Sequence, residues 1–238
     1  MEDEKKGFSK EEIVKLLAII IVFIAIFVYS VFSSNDGFKK DNKRVETIDV
    51  VKLFEPIKNN YELVIDKTID DKDEHIDYIN DGTFKLYNVN NDNKGYLLYN
   101  GKTYVVELKG RKIKEYNKQE SFFNDNYSNI DFIKNVVKHC ESKIINKNEV
   151  NCTVKIDDFI KEYNNYFSTH NIYEGEDEIV FNIKHGNIVN NIEVDYSKVN
   201  QFVKNNGKSV VKYNIKIKNT NSNDYSNLFE IFSDTLKK

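Results

Sequence analysis

Residues 16–34 read LLAIIIVFIAIFVYSVFSS and carry no charged side chain across 19 positions. A helix of that length rises about 28 Å, close to the ~30 Å hydrocarbon core of a bilayer. A buried core helix of a globular domain is usually amphipathic, whereas this segment is apolar on every side. Ser9-Lys10-Glu11-Glu12 is spaced as a capping box, in which Ser9 and Glu12 satisfy each other's free backbone donors and start the helix in water. Tyr29 falls near the far end, where an amphipathic ring suits the interface. The lipid bilayer is therefore the expected partner of residues 16–34.

Charge alone does not orient the segment, because Lys5, Lys6, Lys10 and Lys15 precede it and Lys39, Lys40, Lys43 and Arg44 follow it. A short head before a first hydrophobic segment behaves as a signal anchor, and long domains translocate largely regardless of charge. The expected layout is a cytoplasmic head (1–15), a transmembrane helix (16–34), a polar linker (35–45) and an extracytoplasmic domain (46–238), single-pass in the cell membrane. A cleaved signal peptide is the competing reading. Its apolar region should be shorter than this run, and Val31-Phe32-Ser33 is a marginal cleavage site. No Cys directly follows the segment, so a lipoprotein anchor is not expected.

The stretch ahead of the segment, Lys6-Gly7-Phe8-Ser9 with Glu12, resembles the leader of type IV pilins and pseudopilins. In that family the chain is cut after a Gly followed by Phe, and a Glu five residues into the mature chain acts in filament assembly. The resemblance implies Gly7 and Phe8 as a processing site and Glu12 as the assembly residue. Lys10, Glu11 and Lys15 depart from the family's mostly apolar pattern, as does the missing Pro near the end of the helix.

The remainder has the makings of one folded domain. The 238-residue chain carries 35 basic and 38 acidic side chains for a net charge of −3, so it lacks the one-signed field that attracts polyanions, and no nucleic acid partner is expected. Fifteen Tyr and sixteen Phe supply the bulk for a core and argue against disorder. Val51, Phe54 and Ile57 have helical spacing, interrupted by Pro56. From Tyr61 the period becomes two, with Tyr61, Leu63 and Ile65 on one face and Glu62, Val64 and Asp66 on the other. Asp81-Gly82, Asn100-Gly101 and Lys109-Gly110 are turn dipeptides, predicting five or six antiparallel strands over 61–116. Ile130, Ile133, Val137 and Cys140 form a helical stripe, with Ser128 and Asp131 placed as a capping box. Val150, Cys152, Val154 and Ile156 alternate as a strand, and Asp157 is placed to cap a helix bearing Phe159, Ile160, Tyr163 and Phe167. Three more strands centre on Phe181, Val194 and Ile215, and a closing helix carries Leu228, Ile231, Phe232 and Leu236. The predicted class is α+β: a mostly antiparallel sheet, apolar on one face and covered there by amphipathic helices.

This order of elements, carried by 61–116 and 179–218, resembles the LolA/LppX-type lipoprotein-carrier superfamily. The resemblance implies a curved half-barrel whose concave face holds acyl chains or another hydrophobic ligand. The same Phe, Tyr and Ile residues are more often simple core than the lining of a cavity.

Cys140 and Cys152 are the two cysteines. Both are placed to point into one helix–strand interface across a short connection, so a disulfide is expected outside the membrane. Free thiols remain the reading for a cytoplasmic domain, and a metal site with His139 lacks a fourth ligand. The runs 70–75 and 88–92 place oxygen donors at alternate positions, but Asn93 and Tyr99 occupy the positions where a calcium loop needs Gly and Glu, so both read as solvated hairpin turns. His75, His139, His170 and His185 are scattered, and no nucleotide-binding, zinc-protease or nucleophile-elbow motif occurs. No cofactor or metal is expected. The function expected from the sequence is non-enzymatic binding of a hydrophobic ligand or an envelope protein. A pilin-like component cut after Gly7 and an envelope enzyme with a spatially assembled site are the alternatives.

Overall fold

The computed structural model describes residues 48–110, 112–121, 123, 125–203, 209–220, 225 and 228–230. Backbone contacts divide the chain into Met1–Glu46 and Thr47–Lys238, and every described residue belongs to the second unit. The expected transmembrane helix at 16–34, the leader residues Gly7, Phe8 and Glu12, and the head and linker lie outside the described residues. Among those described, no helix is long and apolar enough to cross a membrane.

The unit opens with α1 (Val50–Phe54), which ends at Glu55 because Pro56 cannot continue a helix. Six strands follow: β1 (Tyr61–Ile69), β2 (Lys72–Asn80), β3 (Lys85–Val89), β4 (Lys94–Tyr99), β5 (Lys102–Lys109) and β6 (Lys112–Ser121). Then come α2 (Ile130–Val136), β7 (Glu141–Asn146), β8 (Glu149–Lys155), α3 (Ile156–Phe167), β9 (Glu178–His185), β10 (Val189–Asp195), α4 (Ser197–Val203) and β11 (Val211–Thr220). All eleven strands form one antiparallel sheet in the order β6-β5-β4-β3-β2-β1-β11-β10-β9-β8-β7. The sheet is thus two meanders fused where β1 pairs with β11, from Leu63 opposite Ile217 to Ile69 opposite Val211. The edge strands β6 and β7 are consecutive in sequence, so the chain between them crosses a face of the sheet, and α2 lies on that path.

Local chemistry fixes the hairpins. Asn100 and Gly101 have φ of 48° and 74°, the pair of positive values that a type I′ turn demands. Asp70-Asp71 makes the two-residue turn between β1 and β2 at φ of 47° and 64°, and Asn90 and Asn91 also have positive φ between β3 and β4. The oxygen-rich runs therefore serve as turns, because Asn and Asp tolerate this region better than other residues with a β-carbon.

One face of the sheet meets the helices. Ile65, Ile76, Val150, Phe181, Ile183, Ile192 and Ile215 are fully buried there against Phe54, Phe132, Ile133 and Phe159. Phe132 sits at the centre of a ring cluster, with centroids 5.3 Å from Phe159, 5.6 Å from Tyr163 and 5.1 Å from Phe167. Tyrosine hydroxyls in this core find partners: Tyr196 donates to the Tyr127 carbonyl at 3.1 Å, Tyr127 to Asn200 at 3.2 Å, and Tyr213 to Asp125 at 2.6 Å.

Several expectations require correction. The first meander is buried on both faces: Ile79, Leu86, Leu97, Val106, Leu108 and Ile113 point away from the helices into a second cluster closed by Phe84, Tyr225 and Phe229. Residues 228–230 are helical, with Leu228 and Phe229 buried, while Ile231, Phe232 and Leu236 lie outside the described residues. Asn129, not Ser128, caps α2 by accepting from the Phe132 amide at 3.1 Å, and the Ser128 hydroxyl bonds Asp125 instead. Asp157 stands inside the first turn of α3, with Lys155 in the cap position. The helix stripe ends in a 3₁₀ turn, Val137–His139, so Cys140 stands just beyond it.

Candidate functional site

The face of the sheet opposite the helices changes character along its length. Across β7 to β11 it is polar, and where Ile79, Leu86, Leu97, Val106, Leu108 and Ile113 of the first meander face it, it is apolar and covered. At the boundary lies a cleft of about 430 Å³, within the size range of small-ligand pockets.

Strand register builds it. In β1 and β2 the residues facing this side are Glu62 opposite Ile79 and Val64 opposite Asp77; in β2 and β3 they are Asp77 opposite Asn88 and Ile79 opposite Leu86. One side of the cleft is therefore apolar, formed by Ile79, Leu86 and Leu108, and the other carries Glu62, Asp77, Asn88 and Lys218. Gly95 makes the apolar side possible: a β-carbon there would meet the Tyr87 carbonyl at 2.8 Å and Leu108 Cδ1 at 3.3 Å. Its absence lets β3, β4 and β5 bring Leu86 and Leu108 together.

The charges continue along the polar face. Lys218 Nζ is 3.6 Å from Asp77 Oδ1, and His75 Nε2 is 4.0 Å from the other Asp77 oxygen. His75 Nδ1 lies 2.7 Å from Asp66 Oδ1, and Lys216 Nζ donates to Asp66 Oδ2 at 3.2 Å. The His75 hydrogen bond, helped by Lys216, holds the Asp66 carboxyl below its ordinary range. Asn88 Oδ1 is buried with no hydrogen-bond partner among the described residues. Such an orphan acceptor usually costs about 1–3 kcal/mol. Two broader hollows, of about 520 and 630 Å³, lie around Lys212 and Tyr213, and the smaller of them is lined by Ile179, Val180 and Val194 beside charged side chains.

Cys140 and Cys152 form a disulfide, with Cα atoms 5.2 Å apart. Cys152 is fully buried on the inward face of β8 opposite Ser142. The bond ties the end of the α2 segment to the sheet on the helix face, away from the cleft.

The four histidines are not brought together. His75 pairs with Asp66, His139 Nε2 lies 2.9 Å from Glu162, His170 is exposed, and His185 is buried at the end of β9 with Nδ1 3.0 Å from the Gly186 carbonyl. No group of three His, Cys, Asp or Glu side chains suited to a metal ion occurs among the described residues.

None of the cleft residues stands out in the sequence as a site. Glu62 reads as the far face of an alternating strand and Asn88 as part of a solvated hairpin turn, and only Gly95 inside the β4 run signals a close approach.

Among the described residues the cleft offers an apolar side, two carboxylates, an amide oxygen and one ammonium group. No protein-family model matches the chain, and no curated protein matches it significantly.

Proposed function

We propose that this chain is a single-pass, membrane-anchored extracytoplasmic protein that binds a hydrophobic or amphipathic ligand without catalysis, and that the cleft beside Asp77 is its site. The observation that carries the binding reading is the apolar side of the cleft, Ile79, Leu86 and Leu108, which meets a charged rim at a size suited to a small molecule. The Cys140–Cys152 disulfide supports the outer compartment, since structural disulfides persist where the environment is oxidising. The apolar run at 16–34 supports the anchor. Eleven antiparallel strands with α1 to α4 on one face support the lipoprotein-carrier resemblance and, with it, a curved sheet. The helix-covered face is filled by Phe54, Phe132, Phe159, Phe181 and Tyr196, so the ligand seat of this reading is the cleft on the other face.

A photoreactive aliphatic diazirine, photolysed with the full chain in lipid nanodiscs and mapped by peptide mass, tests the binding. Adducts on the peptides holding Ile79, Leu86 and Leu108 are expected, and adducts confined to residues 16–34 overturn the reading. Protease accessibility of residues 47–238 in intact cells, read beside thiol alkylation, tests the compartment. A protected domain with two free thiols refutes it.

A further inference from the structure

β7 ends the sheet on one side. Its inner side pairs with β8, from Glu141 opposite Thr153 to Asn146 opposite Glu149, and no strand lies along its outer side among the described residues. Such an edge offers a row of unpaired N–H and C=O groups to any extended chain. β7 carries the usual guards against that: it is six residues long, its register shifts between Ile144 and Asn146, and Lys143 stands exposed at its middle. Glu141, two positions earlier, is exposed on the same face. Neither charge has a hydrogen-bonded or ionic partner among the described residues.

These guards turn away a generic strand but match β7 itself. We propose that two copies of this chain join their sheets antiparallel along β7, about a two-fold axis at Ser142. Glu141 of each copy then faces Lys143 of the other, so one symmetric contact forms two ion pairs. Directly opposed β-carbons lie about 4.5–5.5 Å apart, within reach of both side chains. The charges also fix the register: an axis at Lys143 sets lysine against lysine, and one at Glu141 sets glutamate against glutamate. A single short strand pair buries less than a standard interface, so the dimer is weak and depends on concentration.

Sedimentation equilibrium of the full chain in density-matched detergent tests this. A monomer–dimer equilibrium is expected, and hydrogen exchange is expected to slow in β7 as the chain is concentrated. Glu141→Lys and Lys143→Glu each oppose like charges twice and are expected to weaken the dimer at least about tenfold, while the unfolding midpoint stays near that of the parent because both side chains are exposed. The double substitution exchanges the two signs and is expected to restore dimerisation to within about threefold of the parent. A chain that stays monomeric at every concentration, a dimer indifferent to the single substitutions, or a double variant as weak as the singles overturns the proposal.

Discussion

At the scale of single residues the core is dominated by aromatic side chains, and their hydroxyls decide how the domain responds to pH. Burial pushes the Tyr61 hydroxyl from 10.0 up to about 12, with the Asn80 hydrogen bond partly opposing it. Tyr78, Tyr196 and Tyr213 are likewise raised well above the ordinary value, again chiefly by burial. A tyrosine whose folded value lies above its unfolded one loses its proton first in the unfolded chain. Its contribution to stability is therefore complete below about pH 10 and declines as pH rises from 10 toward the folded value. Alkaline titration followed at the tyrosinate absorption band is expected to show the buried tyrosines ionising only above about pH 10, as the protein unfolds. One smooth titration of all the tyrosines near pH 10 contradicts this. Phe132 makes a complementary case without a titratable group: it is fully buried and in ring contact with Phe159, Tyr163 and Phe167. Phe132→Ala is expected to lower stability by about 3–5 kcal/mol in denaturant titration, because neighbouring rings collapse only partly into the space.

Elements differed in how much of themselves they showed in the sequence. β11 was plain, since Val211, Tyr213, Ile215 and Ile217 alternate with Lys212, Asn214, Lys216 and Lys218, and the structure buries the first three. Asn100-Gly101 likewise declared its hairpin through the only backbone region that suits its turn. β7 did not. Its inward positions are Ser142 and Ile144, and Ile145 beside them is 47 % exposed, so the alternation is blurred. The cleft was illegible for a different reason. Whether Glu62 and Asp77 face water depends on residues far along the chain, and periodicity reports the alternation of faces but not what covers each one. The disulfide lies between these cases: the pairing of Cys140 with Cys152 was legible, whereas the placement of Cys140 past the helix end was not. Cys140 and Cys152 close a short loop around the β7–β8 hairpin, with a sequence separation of 12. Replacing both by Ser is expected to cost about 3 kcal/mol, and to raise amide exchange in β7 and β8 ahead of the central strands. Unchanged exchange there would show that the hairpin holds without the bond.

On the scale of the whole molecule, the sheet's two meanders share a seam rather than a linker. β11 sits between β1 and β10, so neither half is complete without it. A chain ending before Val211 loses that strand together with Tyr225 and Phe229, which close the second cluster. It is expected to show no cooperative unfolding transition in urea, instead of one with half the usual slope. A surviving half-size transition would mean that one meander folds alone.

The seam also sets a timetable. The side chain of Asp70, at the end of β1, accepts from the Val210 amide across 140 residues of sequence. At a synthesis rate of roughly 5–20 residues per second, β1 waits about 7–28 seconds for the strand that covers it. Throughout that interval a newly made β1–β2 hairpin presents a row of unpaired backbone groups, the template on which chains join one another. The ribosome therefore delivers the most vulnerable edge of this protein first and its protection last.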